Sequence, residues 1–358
     1  MPGSSKKRKR PRGSRPFHVV LTCNLKKDFD ELRENPEEMD RYAEWDTEET
    51  ISAVESALAQ HHKVTRVVAN DIPLAFRQLD ELRPDIVFNM VEGLSGVNRE
   101  SQIPAMLEAL EIPYTGSDPL TLAICLDKSR AKEILSYHKI PTPRFLVIHT
   151  PDQVADLAGF PLPAMVKPLA EGSSRGITND CMAKEPGQLS EKVRQLLSRY
   201  EQPVMVEEFL PGREFTVAMM GNGSDVRVLP LVEISFDSLP PEANPIYSFE
   251  AKWVWDTPER PVDIFQCPAQ IDPTLANQIE TVCRQAFSVL RCRDWCRVDI
   301  RLDRDGRPNI IELNPLPGIL PKPEDNSCFP KAARTAGMSY AELVNRVLDE
   351  AWVRYGRA

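Results

Sequence analysis

Two carboxylates and an amide recur at strand spacing in WCRVDIRLDRDGRPNIIELNP (295–315). The stretch reads as two strands joined by a turn at Asp305-Gly306. Side chains alternate across a strand, so Arg297, Asp299 and Arg301 face one way and Val298, Ile300 and Leu302 the other. In the second strand Glu312 and Asn314 share a face, while Ile311 and Leu313 point to the core. Folding the hairpin sets Asp299 opposite Glu312 and Asn314. Two carboxylates and one amide oxygen are hard ligands suited to Mg²⁺ or Mn²⁺, and they leave coordination positions for water and substrate phosphates. A polar sheet face neutralised by arginines would show the same alternation.

A second segment, PAMVKPLAEGSSRGI (163–177), delivers Lys167 on a strand into a loop holding Gly172, Ser173, Ser174 and Gly176. Glycines let backbone N–H groups approach an anion, the hydroxyls add donors, and the lysine supplies a point charge for phosphate. The loop has neither the Walker spacing nor the dinucleotide-binding G-x-G-x-x-G. In a third segment, VMVEEFLPGREFTV (204–217), two adjacent acids end an apolar strand, Pro211-Gly212 turns, and Glu214 opens the next strand. Such a linker can offer backbone groups to an adenine edge and a carboxylate to ribose hydroxyls. Solvated acids would look no different.

The elements that must position these residues alternate. PFHVVLTC (16–23), KVTRVVA (63–69) and PDIVFNM (84–90) read as short buried strands, separated by a helix capped at Asp46 or Thr47 in which Ile51, Val54 and Leu58 share a face. Glu100–Leu110 reads as helical. Strands alternating with helices imply a parallel sheet with helical crossovers, ending near residue 120. One helix is expected from about Pro119 to Tyr137, then strands RFLVI and PAMVKPL around an Asp152–Ala158 helix, a helix over Gln188–Tyr200 and a strand over 203–210. REFTVAMM and VRVLPLVEI form a hairpin across GNGSD. The division is thus a basic tail over 1–16, an α/β unit over 17–120, and two α+β units over 121–212 and 213–358.

Composition narrows the class. The chain has 358 residues, 42% hydrophobic and 27% charged, which is ordinary globular usage. No run of 18 apolar residues occurs, so no spanning helix and no membrane partner are expected. Residues 1–16 hold seven of the 44 basic residues and no acid, leaving 37 bases against 53 acids, or −16, in the body. A body of that charge repels phosphate backbones, so nucleic acid is not the expected substrate, although the tail could touch it. The apolar stretch after the tail is short, contains His18 and Asn24, and precedes no small-residue cleavage site, which argues against secretion. The eight cysteines lack a zinc spacing; buried or free thiols in a reducing cytoplasm are expected.

Seven segments in order resemble one family. These are EIPYTGS (111–117), LDKSRAK (126–132), VKPLAEGSSRG (166–176), VEEFLPGREFTVA (206–218), EAKW (250–253), VDIRLD with IIELNPLPG (298–318), and KAARTAGMSYAELV (331–344). They resemble the D-alanine–D-alanine ligases of the ATP-grasp superfamily, from about Pro84 to Trp352. The resemblance implies an N-terminal parallel-sheet domain followed by two α+β units clamping ATP. It implies an ATP-dependent carboxylate–amine ligase working through an acyl phosphate, with ATP and Mg²⁺ (or Mn²⁺) as cofactors, small amino acids as substrates, a cytoplasmic place in cell-wall biogenesis, and dimers formed through the first unit. Carried across residue by residue, Lys128 and Lys167 bracket the phosphates, Ser173 and Ser174 belong to the phosphate loop with Glu171, and Ser173 also orders the catalytic centre. Glu207, Phe209 and Leu210 line adenine, Glu214 holds ribose, and Lys252 sits on the closing loop. Asp299, Glu312 and Asn314 are the metal ligands. Arg297, Gly318 and Ser327 stabilise the reacting carbonyl and bind the substrate carboxylate.

The chain departs from the family where the first amino acid is gripped. LTCNLKKDF (21–29) lacks the Gly-Gly turn carrying Ser and Glu, NMVEGLSG (89–96) has Glu92 where the family has His, and Trp253 follows the loop lysine where Tyr is common. Glu48 or Glu49 is the candidate to replace the lost acid. Two alternatives stay open: the same chemistry on another amino acid, a hydroxy acid or a peptide, and a catalytically inactive nucleotide-binding regulator.

Overall fold

The computed structural model describes residues 16–26, 41–240, 243–248 and 264–356. Its N-terminal part is a three-stranded parallel sheet built from β1 (His18–Cys23), β2 (Lys63–Val68) and β3 (Ile86–Met90), in the order β2-β1-β3. Helices α1 (Glu48–Ala59), α2 (Ile72–Leu82) and α3 (Gln102–Ala109) accompany it. β1 is buried on both sides, as parallel strands are. Val19, Leu21 and Cys23 enter one core with Ile51, Val54 and Leu58 of α1, while Val20 enters another with Leu79 and Leu107. Thr47, one of the two caps expected, accepts a hydrogen bond from the Thr50 amide at 3.3 Å and so starts α1.

The single helix expected over 119–137 is two, α4 (Pro119–Leu126) and α5 (Lys128–Tyr137). Asp127 between them is extended, and its side chain accepts from the amides of Ser129 and Arg130. A carboxylate that can satisfy free amides at a helix start competes with continuing the helix before it. The break sets Lys128 at the first position of α5.

β4 (Phe145–Ile148), β5 (Ala164–Pro168), β6 (Met182–Ala183) and β7 (Val204–Glu208) form an antiparallel sheet in the order β4-β7-β5-β6. Leu189 and Val193 of α6 (Pro186–Tyr200) cover one face. The helix expected at 152–158 is a 3₁₀ segment, Pro151–Leu157. The third sheet holds β8 (Glu214–Met220), β9 (Arg227–Val228), β10 (Val232–Ile234), β11 (Phe265–Gln266), β12 (Trp295–Leu302) and β13 (Pro308–Asn314), with β8 and β12 at its centre. α7 (Pro273–Val289) packs Ile279, Cys283 and Phe287 against Val217, Val298 and Ile300. Ala131 and Leu135 of α5 join that same core, so a helix contiguous in sequence with the second sheet is packed on the third. α8 (Cys328–Thr335) and α9 (Tyr340–Arg354) close the chain, with Leu343, Val347 and Leu348 packed beside Ile51 and Leu58 of α1.

One corner of the hairpin departs from its sequence reading. Asp299 pairs with Glu312, but Ile300 pairs with Ile310, so Ile311 is the extra residue of a β-bulge. A bulge leaves its extra residue unpaired and re-aims it. Ile310, not Ile311, therefore enters the core with Leu313, and Ile311 lines the central cavity.

The first and last parts are tied by one buried group. Asp294 is fully buried and accepts from Gly116 N at 2.8 Å, Asn222 Nδ2 at 2.9 Å and Arg354 at 2.8 and 3.0 Å. Asp294→Ala leaves Arg354 buried without its carboxylate. It should cost about 3–5 kcal/mol of stability, measured by urea unfolding; a loss below about 1 kcal/mol would show the network to be dispensable.

Candidate active site

A cavity of about 950 Å³ lies between the polar faces of the second and third sheets and the carboxyl end of the first. The nucleotide, metal and catalytic candidates named from the sequence and lying in the described part all line it: Lys128, Lys167, Glu171, Ser173, Ser174, Glu207, Phe209, Leu210, Glu214, Arg297, Asp299, Glu312, Asn314, Gly318 and Ser327. Lys252 and the neighbouring Trp253 fall outside the described residues, as does the basic tail through Arg15.

On the third sheet the alternation of β12 puts Arg297, Asp299 and Arg301 on the cavity face. Arg297 donates through Nε and Nη2 to the two Asp299 oxygens at 3.1 and 3.0 Å, and Thr216 Oγ1 donates to Asp299 at 2.7 Å. Asn314 Nδ2 donates to Asp299 at 3.2 Å, which leaves its amide oxygen as an acceptor. Glu312 lies 3.6 Å from Lys128 Nζ. Each carboxylate of the set thus has a cationic side chain beside it, and three hard oxygen donors converge from one hairpin. This donor set fits a divalent cation that binds with phosphate oxygens.

Arg301 carries the other half of that face. It pairs with Glu214 at 2.5 Å, and its guanidinium lies 4.5 Å from the Phe209 ring centre and 5.4 Å from that of Phe236. Burial pushes the Glu214 carboxyl upward, against the pull of Arg301. Arg301 thereby fixes both the carboxylate and the aromatic ring assigned to the nucleoside.

On the second sheet Lys167 and Glu207 lie diagonally across β5 and β7, and Lys167 Nζ donates to Glu207 at 2.8 Å. Lys132, one turn after Lys128 on α5, pairs with the other Glu207 oxygen at 2.6 Å and donates to Thr142 at 2.8 Å. Burial acts to raise Glu207, but the two lysines hold it below the usual carboxylate range. Burial in turn pulls the Lys132 ammonium down to about 8, against the pull of Glu207. The Glu207 carboxylate is therefore committed to two lysines. It holds the Lys167 ammonium at the cavity wall.

In the loop after β5, Ser173 and Ser174 have φ of +48° and +60°, a left-handed conformation uncommon outside glycine. Ser174 Oγ donates to the Tyr247 carbonyl at 2.9 Å. A Cβ at Gly172 would meet Glu44 Oε1, which accepts from its amide at 2.7 Å, so a larger residue there has to displace that carboxylate. The Glu171 carboxylate is held by Arg175 and Gln202, both at 2.7 Å, and its carbonyl accepts from Lys128 Nζ. Ser327 Oγ accepts from Leu320 N at 3.1 Å beside Gly318, at the start of α8. All eight cysteines are free, as expected.

The two acids offered for the first amino acid are each paired with a basic side chain. Glu48 is exposed and pairs with Arg66 at 2.6 Å, away from the cavity, and Glu49 pairs with Lys322 at 2.8 Å at its rim. Sequence reading missed Lys132, Arg301, Thr216, Glu44 and Arg99. The i, i+4 spacing of Lys128 and Lys132 and the alternation of Arg301 with Asp299 were signals for two of them; nothing local marks Glu44 or Arg99.

Residues 134–349 match the family model for the D-ala D-ala ligase C-terminus. The chain belongs to the D-alanine–D-alanine ligase family. A family member from Bordetella pertussis, named D-alanine–D-alanine ligase, is 37% identical over 269 residues, covering 74% of this chain and 78% of its own length. The uncharacterised protein y4sG of Sinorhizobium fredii is 38% identical over 270 residues, 75% of each chain. Among solved structures, the D-alanine–D-alanine ligase from Bacillus anthracis complexed with ATP has a TM-score of 0.69 at 20% identity, covering 96% of this chain and all of that one. The VanG D-Ala:D-Ser ligase of Enterococcus faecalis has a TM-score of 0.67 at 18% identity, over 94% of this chain and all of that one. These likenesses show the ATP-grasp fold expected from the sequence. No helix among the described residues is long and apolar enough to cross a membrane.

Gly172→Ala should displace Glu44 and lower ATP affinity about tenfold or more, read by calorimetry with a non-hydrolysable analogue. Unchanged affinity would separate the loop from nucleotide binding.

Proposed function

We propose that this chain is an ATP-dependent carboxylate–amine ligase forming a peptide bond through an acyl phosphate, with D-alanine as the first substrate to test on both sides. The observation that carries this reading is the convergence on one cavity of a lysine-and-serine anion loop from the second sheet with the Arg297, Asp299, Glu312 and Asn314 face of the third. A site that only held a nucleotide would not need an arginine and three hard oxygen donors beyond the phosphate cradle.

A carboxylate is a poor electrophile because its charge is delocalised. In the reading proposed, a donor carboxylate oxygen attacks the γ-phosphorus, the bond to the bridging oxygen breaks, and ADP leaves. Lys128 and Lys167 neutralise charge on the phosphate oxygens. An acceptor amine then attacks the acyl carbon, Arg297 stabilises the tetrahedral oxyanion, the carbon–oxygen bond to phosphate breaks, and the departing phosphate takes the proton that the amine loses. Gly318 and Ser327 bind the acceptor carboxylate. Asp299, Glu312 and Asn314 would hold Mg²⁺ or Mn²⁺, which supplies charge neutralisation at the phosphates. Phe209 and Leu210 would line adenine and Glu214 would take ribose hydroxyls. The Lys252 segment would close the site against water, which otherwise hydrolyses the acyl phosphate. The units over 17–120, 121–212 and 213–358 would then serve substrate entry, nucleotide clamping and chemistry in turn.

Phosphate release on a panel of amino acids, hydroxy acids and dipeptides, with products identified by mass spectrometry, tests the reading directly. Release with D-alanine and a D-Ala-D-Ala product is expected. Release with no acid–amine pair would sink it. Glu312→Gln should abolish turnover at millimolar Mg²⁺ while the circular dichroism spectrum stays native; near-normal turnover would remove Glu312 from the metal set. Lys167→Ala should weaken ATP binding about ten- to a hundredfold, and unchanged affinity by calorimetry would take it out of the site.

A further inference from the structure

Helix α5 carries two lysines one turn apart, and each reaches from the second sheet to β13. Lys128 is the outer of the two. Its Nζ donates to the Glu171 carbonyl after β5, lies 3.6 Å from Glu312, and stands on the cavity wall. Lys132 is the inner one. It is 1% exposed and lies behind the cavity wall rather than on it. An ammonium has three N–H donors, and three oxygens stand around this one. Glu207 Oε2 is 2.6 Å away, Thr142 Oγ1 2.8 Å and the Ile310 carbonyl 3.5 Å.

Both backbone groups of Ile310 are engaged from this side. Its amide donates to the Pro141 carbonyl at 2.8 Å, and its carbonyl accepts from Thr142 Oγ1 at 2.8 Å. Ile310 is the paired residue next to the bulge, so its position sets where Glu312 emerges opposite Asp299. At the other end of the ammonium, the second Glu207 oxygen accepts from Lys167 at 2.8 Å. Ala131 and Leu135 dock α5 on the third sheet, so the Lys132–Glu207 pair crosses from that sheet to the second. An apolar side chain would fill the same space without the cost of burying a charge. The charge instead fixes distances among α5, β7 and β13.

We infer that Lys132 is a positioning residue that couples nucleotide to divalent metal. By tying Glu207 and Lys167 to Ile310 it keeps the phosphate lysine and the Glu312 carboxylate in register, and part of the affinity that each ligand lends the other passes through it. Without the tie, a metal held by phosphate must itself draw β13 into place, and that ordering is subtracted from its binding. The inference rests on the nucleotide and metal assignments of the ligase reading and adds to them a residue that meets neither ligand.

Calorimetry of a non-hydrolysable ATP analogue on the full chain, in excess Mg²⁺ and in EDTA, tests it. The ratio of the two affinities measures the coupling, and chelation of Mg²⁺ by the free analogue enters every variant equally. Lys132→Met and Thr142→Val should each lower the ratio about fivefold or more, and Thr142→Ser, which keeps the hydroxyl, should restore it. Affinity lost by the same factor with and without Mg²⁺ is what a merely structural defect gives, and it overturns the inference. An unchanged ratio does the same. If Lys132→Met does not fold, the two Thr142 variants decide alone. An unaltered chain that binds no analogue, or binds it equally with and without Mg²⁺, sinks the nucleotide-and-metal reading and the inference with it. A chain that shows the coupling, with variants that keep it, sinks the inference only.

Discussion

The charged groups on the second- and third-sheet walls of this cavity are each held by a group of opposite charge built beside them. Removing a carboxylate or ammonium from water costs several kcal/mol, and a well-placed partner recovers it. The walls are assembled from such pairs: Arg297 with Asp299, Arg301 with Glu214, Arg99 with Glu44, and Glu207 between Lys132 and Lys167. No member of these sets is independent. Taking one away leaves its partner buried and uncompensated, so a side chain that never touches a ligand still governs the position of one that does.

The backbone explains why the pairs hold their geometry. Strands β5, β7, β8, β12 and β13 present alternate residues to the cavity and to apolar cores, so moving a polar side chain out of place would drag its neighbours out of the core. Two irregularities adjust this regular frame. The bulge at Ile311 keeps Asp299 opposite Glu312 while changing which isoleucine is buried. The break at Asp127 ends one helix and starts another so that Lys128 sits 3.6 Å from Glu312. In both places a local polar or geometric preference overrides the periodicity around it.

The first sheet supplies a wall of different character. Its acids come from the segment before α1, the end of β3 and the turn before α3, and of these Glu44 is held by Arg99 and the Gly172 amide. The walls from the second and third sheets carry the ion pairs of Glu207, Glu214 and Asp299 with their lysines and arginines.

The sequence by itself determined the repeating features. Period-two alternation in 295–315 put Asp299, Glu312 and Asn314 on one face, and the Lys167 strand with its Gly-Ser loop, the helix starting at Thr47 and the free cysteines were all legible, because each is set by residues close together in the chain. The seven ordered segments carried the family and its ATP-grasp fold. What only the tertiary structure decided are the encounters between distant residues. Glu44 meeting Arg99 and Gly172, Lys132 reaching Glu207, and Asp294 tying Gly116 to Arg354 depend on where whole elements dock. Docking is set by the fit of apolar cores, a sum over many residues that leaves no local pattern for a spacing rule to find.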